Sequence, residues 1–328
     1  MGPDRPRADG ADADDLRVPP PAPPGTIGIE QRLRDAGMVG IARAKLNLYL
    51  EIVGRRPDGY HELRTLFQTI SLGDELVVRF GGGLAPGVRC TVEGAELPTD
   101  ERNLAVRAAL EWSRATNSPF GIEILIRKRI PIGGGLGGGS SDAAAVLGFL
   151  QGVDPTRALP PGAFLDLARS LGADVPFLLD GGFAEATGRG DVIVPLSPPP
   201  PVTYVLILPP FGTETAKVYA RAHERMRPAP PGGLERAKEA VLSGVPARIR
   251  DAHHNDLAEA ALRAYPELLR LTSMTERLLG RPPAMTGSGS TLFDVPDVGG
   301  IDDVLARLAS LPGRRVVVDA DAGRAARR

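Results

Sequence analysis

Strand-like and helix-like patterns alternate along the chain, so the sequence predicts a fold that mixes strands with helices. Two further observations divide it. A length of 328 residues favours two domains over one, and the proline run Pro198–Pro201 reads as the junction between them.

The elements follow in order. Residues 1 to about 27 are rich in Pro, Asp, Arg and Ala and carry a proline cluster from Pro19 to Pro24, a composition that predicts disorder. The segment also lacks the apolar core of a secretory signal. Met38 is a plausible alternative start, and residues 1–37 are expected to be a dispensable extension. Ala42–Val53 alternates as a half-buried strand does, with Leu46, Leu48, Leu50 and Ile52 on one face and Lys45, Asn47, Tyr49 and Glu51 on the other. Asp58-Gly59 is a turn signal that returns a second strand, about Tyr60 to Leu72, alongside the first. Asn103–Ala115 and Pro161–Leu171 have helical spacing, the second stopped by Gly172 at the C′ position. The basic-apolar run Ile122–Ile130 reads as a strand. Beyond the prolines, Val202–Leu208 is a short buried strand, and about Leu234–Leu242 and Ile249–Leu271 are helices. A second glycine turn, Gly287–Ser290, is expected to face the first glycine loop across a cleft. The basic end of the chain, from Ala322 to Arg328, is expected to be solvated.

That first loop is the most informative stretch. Pro131-Ile132-Gly133-Gly134-Gly135-Leu136-Gly137-Gly138-Gly139-Ser140-Ser141 packs six glycines around one leucine. Glycine gives up side-chain burial and loses the most backbone entropy on folding, so such a cluster implies sharp turns or a close approach to another group. Ser140 and Ser141 are good N-cap types, and Ala143, Ala144, Leu147 and Leu150 recur at helical spacing after them. A helix N-terminus offers unpaired N–H groups and the positive end of its dipole, so the physical reading is a phosphate cradle. The Walker design is excluded because no lysine ends the loop. The dinucleotide pattern is formally met by Gly133, Gly135 and Gly138, but a run this dense meets almost any glycine motif, and no clear second strand ends in an acidic residue about 20 positions later.

The loop and the helix start resemble the nucleotide loop of the GHMP kinases, and within them most closely the 4-diphosphocytidyl-2-C-methyl-D-erythritol kinases. Ala44-Lys45-Leu46-Asn47-Leu48, Gly54 through Leu63 and Thr65-Leu66-Phe67-Gln68 match that family's N-terminal signature. Asn103-Leu104, Gly172 through Phe177, Asn255-Asp256-Leu257 and Met285 through Ser290 follow in family order. The resemblance implies an α+β fold of two domains with the active site in the cleft between them. With the junction read from the proline run and the tail from its basic composition, the N-terminal domain is expected at 38–197, the C-terminal domain at 198–322 and a basic tail at 323–328.

The resemblance also implies roles. Phosphoryl transfer to an alcohol needs positioning, charge stabilisation and a proton acceptor. Asp174 would be the base and Lys45 its partner, holding the carboxylate ionised and stabilising the hydroxyl oxygen. The backbone from Pro131 and Ile132 through Gly139 would bind ATP, with Ser140 or Ser141 available to Mg²⁺, while Asp142 is either a metal ligand or a surface aspartate that the helix dipole favours. Asn103 and Lys128 would serve the adenine side, although Asn103 also suits a helix N-cap. Asn47, Tyr60, His61, Phe67, Thr215 and Tyr219 would bind the cytidyl substrate, with Tyr60 and Tyr219 stacking on cytosine. Phe211 competes with Tyr219 for that role, and Phe67 also reads as a core residue. Gly287, Ser288, Gly289 and Ser290 form the second turn. The nearest rival is a GHMP kinase of the homoserine or mevalonate type, but neither small alcohol explains Asp58-Gly59-Tyr60-His61. A silent ligand sensor of the same fold and a dinucleotide oxidoreductase are the readings from other classes.

Composition agrees with a cytosolic enzyme. A net charge of −1 leaves no footprint for nucleic acid, no apolar run approaches the length of a membrane span, and one cysteine, Cys90, forms no internal disulfide. The histidines show no metal-ligand spacing. Lysine occurs only at 45, 128, 217 and 238 in an arginine-rich chain. Lys45 and Lys128 fall within the motifs, which suits sites that need a compact ammonium.

Overall fold

The computed structural model describes residues 37–222 and 229–323. The N-terminal extension through residue 36, the tail from residue 324 and His223 lie outside the described residues.

Two long strands dominate the first half. β1 (Gly37–Arg55) and β2 (His61–Gly81) pair antiparallel from Gly37↔Arg79 to Arg55↔His61, joined by the turn that Asp58-Gly59 predicts. β3 (Val88–Glu93) and β4 (Gly121–Arg127) extend one side of the sheet and the two-residue β8 (His254–Asn255) the other, in the order β3-β4-β2-β1-β8. β5 (Phe183–Thr187) pairs with the early part of β2, and β6 (Val192–Pro195) with β5. The expectation of a half-buried first strand is corrected: β1 is buried on both faces, with Lys45, Asn47 and Tyr49 all under 5 % exposed. Polar residues are there because they are bonded, as buried polar groups must be.

β1 also departs from a plain ladder. Its register with β2 shifts between Arg43 and Lys45 and again between Asn47 and Tyr49. A bulge leaves backbone groups free for other partners. At the first shift the N–H of Lys45 donates to Leu136 O of the glycine loop (3.0 Å), and at the second the N–H of Asn47 donates to Thr286 Oγ1 (3.0 Å). The strand thereby holds both glycine turns.

α1 (Leu104–Thr116) and α2 (Gly138–Val153) cover one face of this sheet, with Trp112, Ala108, Val146 and Leu150 packed against Ile122, Ile124 and Ile126. α3 (Pro161–Leu171) and α4 (Val175–Asp180) follow. Gly172 ends α3 in extended backbone, φ 173°, where a left-handed C′ residue was expected. The chain there runs straight into α4, with no reversal for a left-handed residue to make.

The second sheet has the order β11 (Arg314–Asp319), β7 (Thr203–Leu208), β10 (Leu292–Asp294), β9 (Ala284–Met285). α5 (Thr215–Ala222) and α6 (Gly233–Ser243) precede a region that sequence reads as one helix from Ile249 to Leu271. It is three helices: α7 (Pro246–Ala252), α8 (Ala258–Ala264) and α9 (Pro266–Leu279), with β8 between the first two. Asn255 interrupts the pattern by donating Nδ2 to Met285 O and Gly287 O and accepting from Leu257 N, and Pro266 can only begin a helix here. α10 (Ile301–Leu308) completes the layer. Leu46 and Leu48 of β1, Tyr204 and Leu206 of β7 and Phe293 of β10 belong to one buried cluster, so the two sheets share a core. Among the described residues no helix is long and apolar enough to cross a membrane.

Candidate active site

A cleft of about 1140 Å³ runs along the glycine loop and out to Tyr60 and Tyr219. The loop is anchored through its carbonyls. Gly133 O accepts from Thr213 N (2.9 Å) and Ser290 N (3.3 Å), Gly134 O from Thr291 N (3.2 Å) and Leu136 O from Lys45 N (3.0 Å). Among the described residues none of the N–H groups from Gly133 to Ser140 donates a hydrogen bond. A backbone fixed by its acceptors with its donors free, leading into a helix N-terminus, is suited to an anion. Gly133, Gly135 and Gly137 adopt φ of 68°, 73° and 72°, a region in which side chains are strained.

Three expectations at this loop change. The residue that caps α2 is Gly137 with no side-chain bond, so Ser140 and Ser141 lie within the first turn. Ser141 donates Oγ to Arg43 O (2.6 Å) and is buried, which leaves Ser140 as the hydroxyl lining the cleft. The second glycine turn does not face the loop across a gap; it packs directly on it. A β-carbon on Gly135 would lie 2.4 Å from Thr286 O and 2.8 Å from Gly289 O, so backbone meets backbone there.

Lys45 and Asp174 meet at the far end of the loop. Lys45 Nζ donates to Asn47 Oδ1 (2.7 Å) and stands 3.5 Å from Asp174 Oδ2. Asn47 Nδ2 donates to Thr65 Oγ1 (2.9 Å), which donates to Tyr49 O (2.6 Å), so the lysine is held by a chain that ends in backbone. Lys45 is only 5 % exposed at its side chain, whereas Asp174 is 28 % exposed and lines the cleft. Asp174 occupies the N-cap position of α4 but makes no side-chain capping bond. Apart from the ion pair with Lys45, its carboxylate is open to a ligand in the cleft.

Lys128 lines the cleft beside the start of the loop, whereas Asn103 is not among the lining residues. Lys128 Nζ is buried between Asp74 and Asp142, donating to Asp74 and to Asp142 Oδ2 (2.8 Å), and a β-carbon on Gly138 would lie 3.4 Å from it. Asp74 Oδ1 accepts from Arg129 N (2.6 Å) and Ile130 N (2.9 Å) just before the loop. The triad therefore braces the start of the loop against the first turn of α2. Asp142 is neither a surface aspartate nor a cleft ligand: it is 3 % exposed, and burial pushes its carboxyl up to about 7. Asn103 caps α1, accepting from Ala105 N (3.0 Å) and donating to Pro98 O (3.0 Å), a role that contributes about 1 kcal/mol in helices generally. Leu104 beside it lines the cleft.

At the other end, Tyr60 is 57 % exposed on the cleft. His61 packs on Tyr219 with ring centroids 4.9 Å apart, and no base fits between those two rings. Burial, reinforced by the charge of Asp174, pushes the Tyr219 phenol above its ordinary range. Thr215 Oγ1 lies 2.9 Å from Ser288 Oγ, tying α5 to the second turn. Phe211 does not line the cleft; it is half-buried and packs against the core cluster beneath the second sheet. Phe67 is buried, 2 % exposed and stacked on Phe177 at 4.8 Å, yet it also lines the cleft, with Lys45 Nζ 5.4 Å from its ring. Sequence reasoning missed Asp74 and Arg189, and gave no role to Thr65 and Thr286 although both fall within motifs that match the family. Of the two that were missed, only Arg189, flanked by glycines in Gly188-Arg189-Gly190, had a local signal.

The glycine loop follows β4, an antiparallel partner of β2, and not the first strand of a parallel crossover, so the dinucleotide reading lacks its structural context. The family described as GHMP kinases N terminal domain matches residues 103–182. A 4-diphosphocytidyl-2-C-methyl-D-erythritol kinase of Pelotomaculum thermopropionicum is 40% identical over 256 residues, covering 78% of this chain and 88% of the relative. One from Thermus thermophilus is 41% identical over 260 residues, covering 79% and 88%. A crystal structure of a 4-(cytidine 5'-diphospho)-2C-methyl-D-erythritol kinase superposes with a TM-score of 0.70 at 37% identity, covering 87% of this chain and all of that one. Homoserine kinase from Cytophaga hutchinsonii, at 17% identity, shares the fold with a TM-score of 0.66 over 88% of this chain and 95% of its own.

Proposed function

The chain belongs to the 4-diphosphocytidyl-2-C-methyl-D-erythritol kinase family of GHMP kinases, and we propose that its cleft moves the γ-phosphoryl group of ATP to the 2-hydroxyl of that cytidyl polyol. The product enters the non-mevalonate route to isoprenoid precursors. One observation carries the assignment of roles. The loop whose N–H groups are free ends at Gly137, and Gly137 lies directly against the Lys45–Asp174 pair, a β-carbon there being 3.1 Å from Lys45 Cγ and 3.5 Å from Asp174 Oδ2.

Phosphates held on the loop would present their terminal group toward that pair. Asp174 takes the hydroxyl proton as the oxygen forms its bond to phosphorus, the bond to the β-phosphate oxygen breaks, and ADP leaves with the electron pair. Lys45, fixed by Asn47, stabilises charge on the attacking oxygen. Tyr60 and Tyr219 hold the cytosine, Thr215 and Ser288 support the Tyr219 side, and Lys128 acts on the nucleotide indirectly, by bracing the loop.

Magnesium fits as a companion of the nucleotide. Among the described residues there is no cluster of three acidic, histidine or cysteine side chains, and an ion that keeps most of its water and takes phosphate oxygens needs none. Ser140 would hold it, and its chemistry is to neutralise phosphate charge. The reading divides the chain near Pro198, in support of which β6 ends at Pro195 and β7 begins at Thr203.

The test is to incubate the full chain with ATP, Mg²⁺ and, in parallel, the cytidyl polyol, homoserine or mevalonate, following ADP and the phosphorylated product. Product from the cytidyl polyol alone is expected. Turnover of homoserine or mevalonate, or binding without turnover, contradicts the reading.

A further inference from the structure

Between the Tyr60 end of the cleft and the reactive pair stands a turn with no role so far. Thr187–Asp191 joins β5 to β6 and delivers Arg189 into the cleft. Its position is built, since Leu63 N donates to Gly188 O (2.7 Å) and Gly188 N to Glu62 Oε1 (3.2 Å), pinning the turn to the start of β2. The guanidinium is oriented as well. Nε and Nη2 donate to Asp191 Oδ2 (3.2 and 2.9 Å), Nη2 also to Arg169 O (3.4 Å), and Cζ lies 5.1 Å from the Tyr60 ring centroid. Nη1 has no hydrogen-bond partner among the described residues.

The path of the substrate decides what that nitrogen meets. On the function proposed above, on which this inference rests, the base lies at Tyr60 and the alcohol at Lys45 and Asp174. The link between these ends runs past Phe67: Lys45 Nζ is 5.4 Å from its ring, and a β-carbon on Gly190 would lie 3.7 Å from its Cζ. Arg189 therefore sits between base and alcohol, where a cytidyl polyol carries its diphosphate. We propose that Arg189 is a substrate-specificity residue that binds this diphosphate through the free edge of its guanidinium. Asp191 aims the group, and Tyr60 covers one of its faces. A planar guanidinium held in this way suits phosphate oxygens better than a mobile ammonium would.

The experiment compares CDP with cytidine as inhibitors of the full-length enzyme, together with the KM for the cytidyl polyol and for ATP. Arg189→Met should raise the polyol KM and weaken CDP by about 10- to 150-fold, the scale of a charge-assisted hydrogen bond, with cytidine and ATP within about twofold. Arg189→Lys keeps a cation and carries the test if Met destabilises the turn; it should keep a reduced preference for CDP over cytidine. An unchanged CDP-to-cytidine ratio in the variants, with wild type active on the polyol, overturns the role of Arg189 and leaves the kinase reading intact. A wild type that neither turns over the polyol nor binds CDP overturns both.

Discussion

Gly137 lies against Lys45 so closely that a β-carbon on the glycine would stand 3.1 Å from the lysine Cγ and 3.2 Å from its Cε. The same glycine has φ 72°, where an alanine is strained by about 1 to 2 kcal/mol. Phosphate loop and reactive pair are thus one packed unit.

Gly137→Ala should therefore act on chemistry more than on nucleotide binding. Pushing Lys45 away from Asp174 misplaces the pair, and displacements on the scale of an ångström cost about 10²-fold in rate. A fall in kcat of roughly 10- to 100-fold is expected, with a smaller change in the KM for ATP. Steady-state kinetics on a variant shown by its melting curve to be folded decides it; wild-type kcat would mean that the contact is slack.

The buried triad makes a pH prediction. Burial raises the Asp142 carboxyl from 3.8 to about 7, Lys128 opposing the rise and Asp74 adding to it. A carboxyl raised on folding gives stability that is complete below its unfolded value and lost as pH climbs through the folded one. Wild type should lose this contribution between about pH 4 and pH 7, whereas Asp142→Asn has none to lose. The melting temperature of Asp142→Asn relative to wild type should rise as pH increases from 5 to 8. A difference that is flat or falling over that range rejects the buried carboxyl as the cause.

Tyr219 tests the base site. If cytosine stacks on its ring, Tyr219→Ala should raise the KM for the cytidyl polyol about 5- to 150-fold and leave the ATP value nearly unchanged. Tyr219→Phe should cost little, because stacking uses the ring. Phe211→Ala should leave the polyol KM alone, since Phe211 packs against the second sheet's core cluster and does not line the cleft. A silent Tyr219→Ala would remove Tyr219 from the base site.

How much of this was legible in the sequence depended on whether the signal was local. Alternation along β1 put Lys45 and Asn47 on one side, and their side chains do hydrogen-bond at 2.7 Å. The bulges that turn the same strand toward both glycine turns were not legible, because they arise from partners such as Leu136 and Thr286, far along the chain. Asp74 carried no local mark at all: its partner Lys128 lies 54 residues away, and only the closed sheet brings them together. Ser140 and Ser141 are good capping types, yet a glycine at φ 72° took the cap because the loop must approach Lys45 there. Apolar spacing from Ile249 to Leu271 concealed two helix breaks, although Pro266 marked one of them.

The most direct test of the account is Asp174→Asn, measured as kcat on the cytidyl polyol alongside binding of ATP and of the polyol. Asparagine keeps the size and loses the proton acceptor 3.5 Å from Lys45 Nζ. Both ligands should bind with near-wild-type affinity while kcat falls by about 10² to 10⁴, the range for losing a general base. A variant that turns over within a few-fold of wild type would contradict Asp174 as the base.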